Sequence, residues 1–218
     1  MNDPPIKKPD LDSKRLYLCV PARPDIEHFI SECIKGGVDL IQLREKQLEA
    51  LQLINYARKV VKVCHDMGIQ FIMNDRPDIA LEVEADGVHV GQDDVPPELA
   101  RKILGQSAII GRSTHAHQEL RKSLTEPVDY ISAGPVVPTP TKPGREGTGV
   151  DYAAYANSQS PRPVFVTGGV TPETIPSLVK AGIKHFVVVR YLTSATDPYY
   201  AARKLTEAIE QALNENTR

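Results

Sequence analysis

A surplus of either charge is missing from this sequence: the formal net charge is −2 over 218 residues. Such a chain carries no global signature of a nucleic-acid or anionic-membrane partner, so any phosphate recognition must rest on local clusters. Long apolar runs are missing too, and none approaches the roughly 20 residues of a membrane span. The opening MNDPPIKKPD is polar and broken by proline, unlike a secretory signal. Cysteine is scarce. Cys19, Cys33 and Cys64 are odd in number and lack any CxxC spacing, which disfavours zinc or a disulfide framework and fits buried thiols in a reducing cytoplasm. No GxGxxG follows the first apolar run, so a dinucleotide-binding sheet has no support.

What is present is a rhythm. Residues 1–14 hold three prolines and no apolar period, and read as a mobile tail. From 15 to 218, short apolar runs alternate with amphipathic stretches: RLYLCV at 15–20, DLIQLR at 39–44, QFIMND at 70–75, GVHV at 87–90, AIIGRS at 108–113, YISAGPV at 130–136, VFVTGG at 164–169 and HFVVVR at 185–190. Most are rich in β-branched residues and bounded by turn formers, which favours strands. Helical patterns run from Asp25 to Lys35, from Leu48 to Met67 with Gly68 as C-cap, from Pro96-Pro97 to Gly105, from Pro172 to Gly182 and onward from Pro198. Eight strands alternating with helices predict one domain, a single (β/α)8 TIM barrel with its active site at the C-terminal ends of the strands.

Chemistry-bearing residues sit at those ends. The second run closes on Gln42-Leu43-Arg44-Glu45-Lys46, and alternation puts Gln42, Arg44 and Lys46 on one side, two cations and an amide suited to a polyanion. A solvated strand end with Glu45 pairing locally to Arg44 or Lys46 is the equal alternative. The third and fourth runs end in Asn74-Asp75-Arg76 and Gly91-Gln92-Asp93-Asp94. Asp75 and Asp94 on adjacent strands suit Mg²⁺, which takes one or two carboxylates and completes its shell with water and substrate phosphate. Helix capping competes for Asp93 or Asp94, because Pro96-Pro97 follows at once. Ser113 can donate to phosphate. His115 and His117 read as turn residues and His89 as a wall residue with its hydrogen bonds satisfied. Thr139-Pro140-Thr141-Lys142 precedes PGREGTG, a phosphate grip and a mobile lid. Gly168-Gly169 and Val189-Arg190 end the last two runs, the frequent phosphate site of this barrel. No Ser-His-Asp or Cys-His arrangement is apparent.

Taken in order, QLREK, ND, GQDD, GRSTH, GPVVPTPTKPG, GG and VVR resemble the signature of the thiamine-phosphate synthase family over about Arg15 to Leu213. The resemblance implies a transferase that joins 4-amino-2-methyl-5-(diphosphooxymethyl)pyrimidine to a thiazole phosphate, giving thiamine phosphate and pyrophosphate. It implies two small phosphorylated substrates, a cytoplasmic setting, no nucleic-acid or membrane partner, and room for a homo-oligomer. By that likeness Gln42, Leu43, Arg44, Glu45, Lys46, Asn74, Ser113 and Lys142 hold the pyrimidine pyrophosphate, with Arg44, Lys46, Ser113 and Lys142 catalytic. Asp75 and Asp94 hold Mg²⁺. Thr139, Pro140, Thr141, Gly169, Val189 and Arg190 hold the thiazole phosphate, although many members carry serine where this chain has Arg190. A thiazole tautomerase on the same barrel, a non-catalytic phosphate-binding protein and a Schiff-base aldolase are the alternatives. Both acids argue against the first two, joined by the full QLREK string against the first and by Lys142 against the second, and the third wants a desolvated lysine within the barrel whereas Lys46 and Lys142 sit at strand ends.

Overall fold

The computed structural model describes residues 10–138 and 146–216. Eight parallel strands close into a barrel in chain order: β1 (Leu16–Val20), β2 (Leu40–Leu43), β3 (Gln70–Asn74), β4 (Gly87–Val90), β5 (Ile109–Thr114), β6 (Tyr130–Ala133), β7 (Val164–Thr167) and β8 (His185–Val188). Around them lie α1 (Ile26–Lys35), α2 (Ala50–Asp66), α3 (Pro77–Glu82), α4 (Pro97–Leu104), α5 (His117–Ser123), α6 (Gly149–Gln159), α7 (Ile175–Lys180), α8 (Arg190–Thr193) and α9 (Pro198–Asn216). The predicted TIM barrel is the observed fold.

Almost every strand residue is buried, as expected for parallel strands covered on both faces. Alternation divides them. Leu16, Leu18 and Val20 face the helices in the larger cluster, whereas Tyr17 and Cys19 face the barrel interior with Leu40, Ile72, Ile109, Tyr130 and Phe165. Side chains fill that interior, so the barrel is a packed core.

The other end is closed by a recurring device. Asp39, Asp86 and Asp129 each stand one residue before an even-numbered strand and accept a backbone N–H from the start of the strand before it: Arg15 and Leu16, Phe71, and Ile110 respectively. These carboxylates satisfy donors that β1, β3 and β5 leave unpaired at their first residues.

Several boundaries differ from the sequence reading. Residues 1–9 of the expected tail lie outside the described residues, while residues 10–14 are packed against the base. Leu11 is buried in the interior cluster, and Lys14 N–H is received by Leu11 O. Helix α7 starts at Ile175 with Pro176, not Pro172, in its first turn. Helix α4 has Pro96 as N-cap and no side-chain cap, so neither Asp93 nor Asp94 caps it. The pair of prolines fixes its entry instead. Helices α3, α6 and α8 had no clear period and were not singled out in the sequence, whereas α5 is the helix expected after the turn at His115.

Candidate active site

The C-terminal ends of the strands surround a cavity of about 310 Å³, lined from β2 by Gln42, Arg44 and Lys46, from β3 by Asn74 and Asp75, from β4 by His89, Gln92 and Asp94, and from β5 by Ser113 and His115. Strand alternation brings Gln42, Arg44 and Lys46 to one side as expected. It sends Leu43 the other way, fully buried against the helices. Glu45 turns back to accept the N–H groups of Lys46 and Gln47, both at 2.8 Å, and its side chain does not line the cavity.

Lys46 pairs with Asp75 across the mouth, Nζ to Oδ2 at 2.9 Å. Asp75 sits at φ 61°, a left-handed conformation rare for a residue with a Cβ. The strained turn is held by its N–H, which donates to His89 O at 2.8 Å. Asp94 is fixed by accepting Gly91 N–H at 2.8 Å. Behind it, Arg112 donates to Gly91 O, and Gln92 Nε2 donates to Ser113 O at 2.6 Å. The Arg112 guanidinium turns away from the mouth toward the buried carboxylate of Glu126, 3.1 Å away. The pair is close in distance, but the Arg112 Nε–H is not aimed for a hydrogen bond to it. Arg112 therefore braces the loop and does not face the cavity.

The Asp75 and Asp94 carboxyls are close enough to shift one another's titration. Burial raises the Asp75 pKa, and the neighbouring Asp94 raises it further despite Lys46. Against a desolvation penalty, Asp75, Gly91 N–H and Lys46 hold Asp94 below its usual value. Like charges this close cannot both ionise without a proton or a cation between them. Two carboxylate oxygens facing a polar cavity fit a hard divalent cation that takes its other ligands from water and phosphate. Among the described residues, no group of three potential metal ligands occurs.

Asn74 is 5% exposed and its Nδ2 has no partner, an unsatisfied donor at the cavity wall. Such an orphan costs stability unless a ligand meets it. Ser113 Oγ lies 2.8 Å from His89 Nε2. His115 gives its N–H to Glu119 at 2.7 Å and holds the same carboxylate with Nδ1 at 2.9 Å. This is the turn role expected for it. His117 instead packs edge-on against Tyr152 and Tyr155.

A second cavity of about 380 Å³ opens beside the first, between the ends of β7 and β8. Gly168 and Gly169 line it at φ 93° and 77°, with Val189 and Arg190 opposite. A Cβ on Gly169 would come within 2.6 Å of Val137 Cγ2, so the close approach of the two loops needs glycine. Thr167 lines both cavities and joins them. Arg190 is exposed and forms no ion pair with a described residue. The predicted contacts Thr139, Pro140, Thr141 and Lys142 lie outside the described residues, as does Arg145. The flanks of that loop are pinned where Thr148 N–H donates to Pro135 O at 2.7 Å and Gly149 N–H to Val136 O at 3.0 Å.

Tyr17, Ser132, Thr171, Tyr191 and Ser194 line the cavities without having been singled out in the sequence. Tyr17 could have been found by alternation, since its partner on the same face, Cys19, also looks into the barrel.

The family model described as thiamine monophosphate synthase matches residues 16–192. A thiamine-phosphate synthase of Thermosynechococcus vestitus is 40% identical over 201 residues, which are 92% of this chain and 57% of that protein. The chain thus spans little more than half of that relative. One of Mycolicibacterium smegmatis is 41% identical over 215 residues, 93% of this chain and 95% of that protein. Among solved structures, the thiamine phosphate pyrophosphorylase of Pyrococcus furiosus superposes with a TM-score of 0.84 at 26% identity, covering 91% of this chain and 96% of its own.

Proposed function

The chain belongs to the thiamine monophosphate synthase family, and from that premise we propose that it is a transferase making thiamine phosphate, with its two substrates divided between the two joined cavities. The pyrimidine pyrophosphate lies over β2–β5, met by Gln42, Arg44, Lys46, Asn74 and Ser113, with Lys142 added from the loop. The thiazole phosphate lies over β7–β8, met by Gly169, Val189 and Arg190, with Thr139, Pro140 and Thr141 as further contacts. The observation that carries this reading is the mouth's unsatisfied polarity: an orphan amide, two crowded acids, and Lys46 paired with one of them.

The reaction breaks the C–O bond between a pyrimidine CH2 and pyrophosphate, the electron pair leaving with the pyrophosphate. The thiazole nitrogen then supplies the pair for the new C–N bond. The electron-rich aminopyrimidine stabilises the positive carbon between these events. The thiazole nitrogen carries no proton, so attack needs no general base, in keeping with histidines that are held in hydrogen bonds at the wall. What the protein must do is stabilise leaving-group charge and align the two substrates. Arg44 and Lys46 place positive charge, and Ser113 and Asn74 place hydrogen-bond donors, where the pyrophosphate oxygens gain charge. Asp75 and Asp94 would hold Mg²⁺, which when bound supplies further positive charge against those oxygens. An arginine at position 190 can grip the thiazole phosphate with two donors where a serine has one. The three thiols are buried, and no described helix is long and apolar enough to cross a membrane. We place the reaction in the cytoplasm.

The test is pyrophosphate release by purified protein. Release in equal amount to thiamine phosphate, and only with both substrates, is expected. Isomerisation of a thiazole substrate without pyrophosphate release would make the protein a tautomerase and overturn this reading.

A further inference from the structure

Below the mouth, a chain of hydrogen bonds crosses the barrel interior. Gln42 Nε2 donates to Tyr17 Oη at 2.5 Å. Tyr17 Oη lies 2.8 Å from Tyr130 Oη, which lies 2.9 Å from His89 Nδ1. His89 Nε2 lies 2.8 Å from Ser113 Oγ. Five side chains from β2, β1, β6, β4 and β5 are joined in one line, and all are buried.

The direction of that line is fixed at its far end. An amide nitrogen has only hydrogens to give, and the other end of the Gln42 amide accepts from Cys19 Sγ at 3.7 Å. Tyr17 must therefore accept from Gln42 and pass its own hydrogen to Tyr130. Tyr130 must then donate to His89 Nδ1. A neutral imidazole that accepts at Nδ1 carries its proton on Nε2 and donates it to Ser113 Oγ. The Ser113 hydrogen has nowhere to go along the line and is left for the cavity.

A second observation shows that the line is built in. Gly111 stands between His89 and Tyr130 in the sheet register, paired to both. A Cβ there would overlap the Tyr130 ring and hydroxyl and His89 Nδ1. Strand β5 thus leaves out a side chain at the one place where its neighbours' side chains must meet. Packing alone would be served as well by phenylalanine at 17 and 130. Burial raises the pKa of both phenols, so they stay neutral and keep their hydrogens.

We propose that Tyr17, Tyr130 and His89 are positioning residues that fix the Ser113 hydroxyl as a donor aimed into the mouth. Without them the serine is free to donate to His89 and would offer the leaving group only a lone pair. This inference rests on the reading of Ser113 as a pyrophosphate ligand; the tautomer of His89 in substrate-free protein does not, so failure of the relay and failure of that reading are distinguishable.

Nitrogen NMR of the histidine rings, with the His89 signals identified by their loss in His89→Gln, should show a neutral ring protonated on Nε2 in the wild type. In Tyr130→Phe the ring should shift to a mixture of the two neutral forms. Turnover of Tyr130→Phe should fall roughly tenfold, as for one lost hydrogen bond, with KM for the thiazole phosphate unchanged. Ser113→Ala should cost less in the Tyr130→Phe background than in the wild type, and Tyr17→Phe alone should cost less than Tyr130→Phe. A wild-type His89 protonated on Nδ1 would overturn the relay, whatever the variants do. So would fully additive losses from Tyr130→Phe and Ser113→Ala.

Discussion

The two ends of the barrel handle polar groups in opposite ways. At the base, carboxylates are used up inside the fold: Asp39 receives Arg15 and Leu16 N–H at 2.6 and 3.0 Å, and Asp129 receives both Ile110 N–H at 2.8 Å and Arg101 Nη2 at 2.6 Å. At the mouth, Asn74 Nδ2 has no partner, Asp75 and Asp94 crowd one another, and Asp75 holds a left-handed backbone. The same residue type closes one end and keeps the other unfinished. A site stores its binding capacity as polar groups that the fold itself leaves incompletely satisfied, and the satisfied base supplies the stability to hold them there.

Substitutions should separate the two ends. The largest effect is expected at the mouth, where Asp94→Ala should lower the rate of pyrophosphate release by about 10²–10³-fold, as for removal of a group stabilising leaving-group charge. Its melting temperature should hardly move, and His115→Ala should lose less than about tenfold in the same assay. Equal losses from the two would break the comparison. Next comes the base. Asp129→Ala strands the buried Arg101 and should cost about 3 kcal/mol, or roughly 6–12 °C in Tm by calorimetry. The protein that remains folded should keep its KM values.

A smaller change is expected from Gly169→Ala. Its φ of 77° and the nearness of Val137 should raise KM for the thiazole phosphate by roughly tenfold while sparing the pyrimidine pyrophosphate. Steady-state kinetics with each substrate varied in turn would show it, and a rise in both KM values would blur the division between the cavities. Smallest is a pH effect at the base. Burial pushes the Asp39 carboxyl up to about 6 in spite of two N–H donors. The folded state thus favours the protonated acid. That contribution to stability is full below the unfolded carboxyl's ordinary pKa of about 4 and is lost as pH rises through about 6. Melting temperatures from pH 4 to 7 should fall more in the wild type than in Asp39→Asn.

The mouth was the more legible end. Charged residues closing apolar runs, as in Gln42 to Lys46 and Asn74-Asp75, announce strand ends with a task, and alternation said which of them face inward. It also predicts that Leu43 and Glu45 face away, although the motif as a whole had suggested contact. The base was hard to read because its logic joins distant positions: Asp39 to Arg15, Asp86 to Phe71, Asp129 to Ile110. Even so, the recurrence of an aspartate just before β2, β4 and β6 was present as a pattern. Leu11 was lost in a polar, proline-rich stretch, where one apolar residue carries no period. Helix α6 opens on glycine and mixes alanine, tyrosine and polar residues, so no apolar stripe marked it. The interior line of hydroxyls was invisible for a similar reason: Tyr17 and Tyr130 are 113 residues apart, and each alone reads as core.

The claim that the mouth is completed by pyrophosphate and a divalent cation together can be tested without turnover. Inorganic pyrophosphate would be titrated calorimetrically into the wild-type protein and into Asp94→Ala, each with Mg²⁺ and with EDTA. The account predicts binding to the wild type that requires Mg²⁺ and is lost in Asp94→Ala. Equal binding in EDTA, or full Mg²⁺-dependent binding to Asp94→Ala, would contradict it.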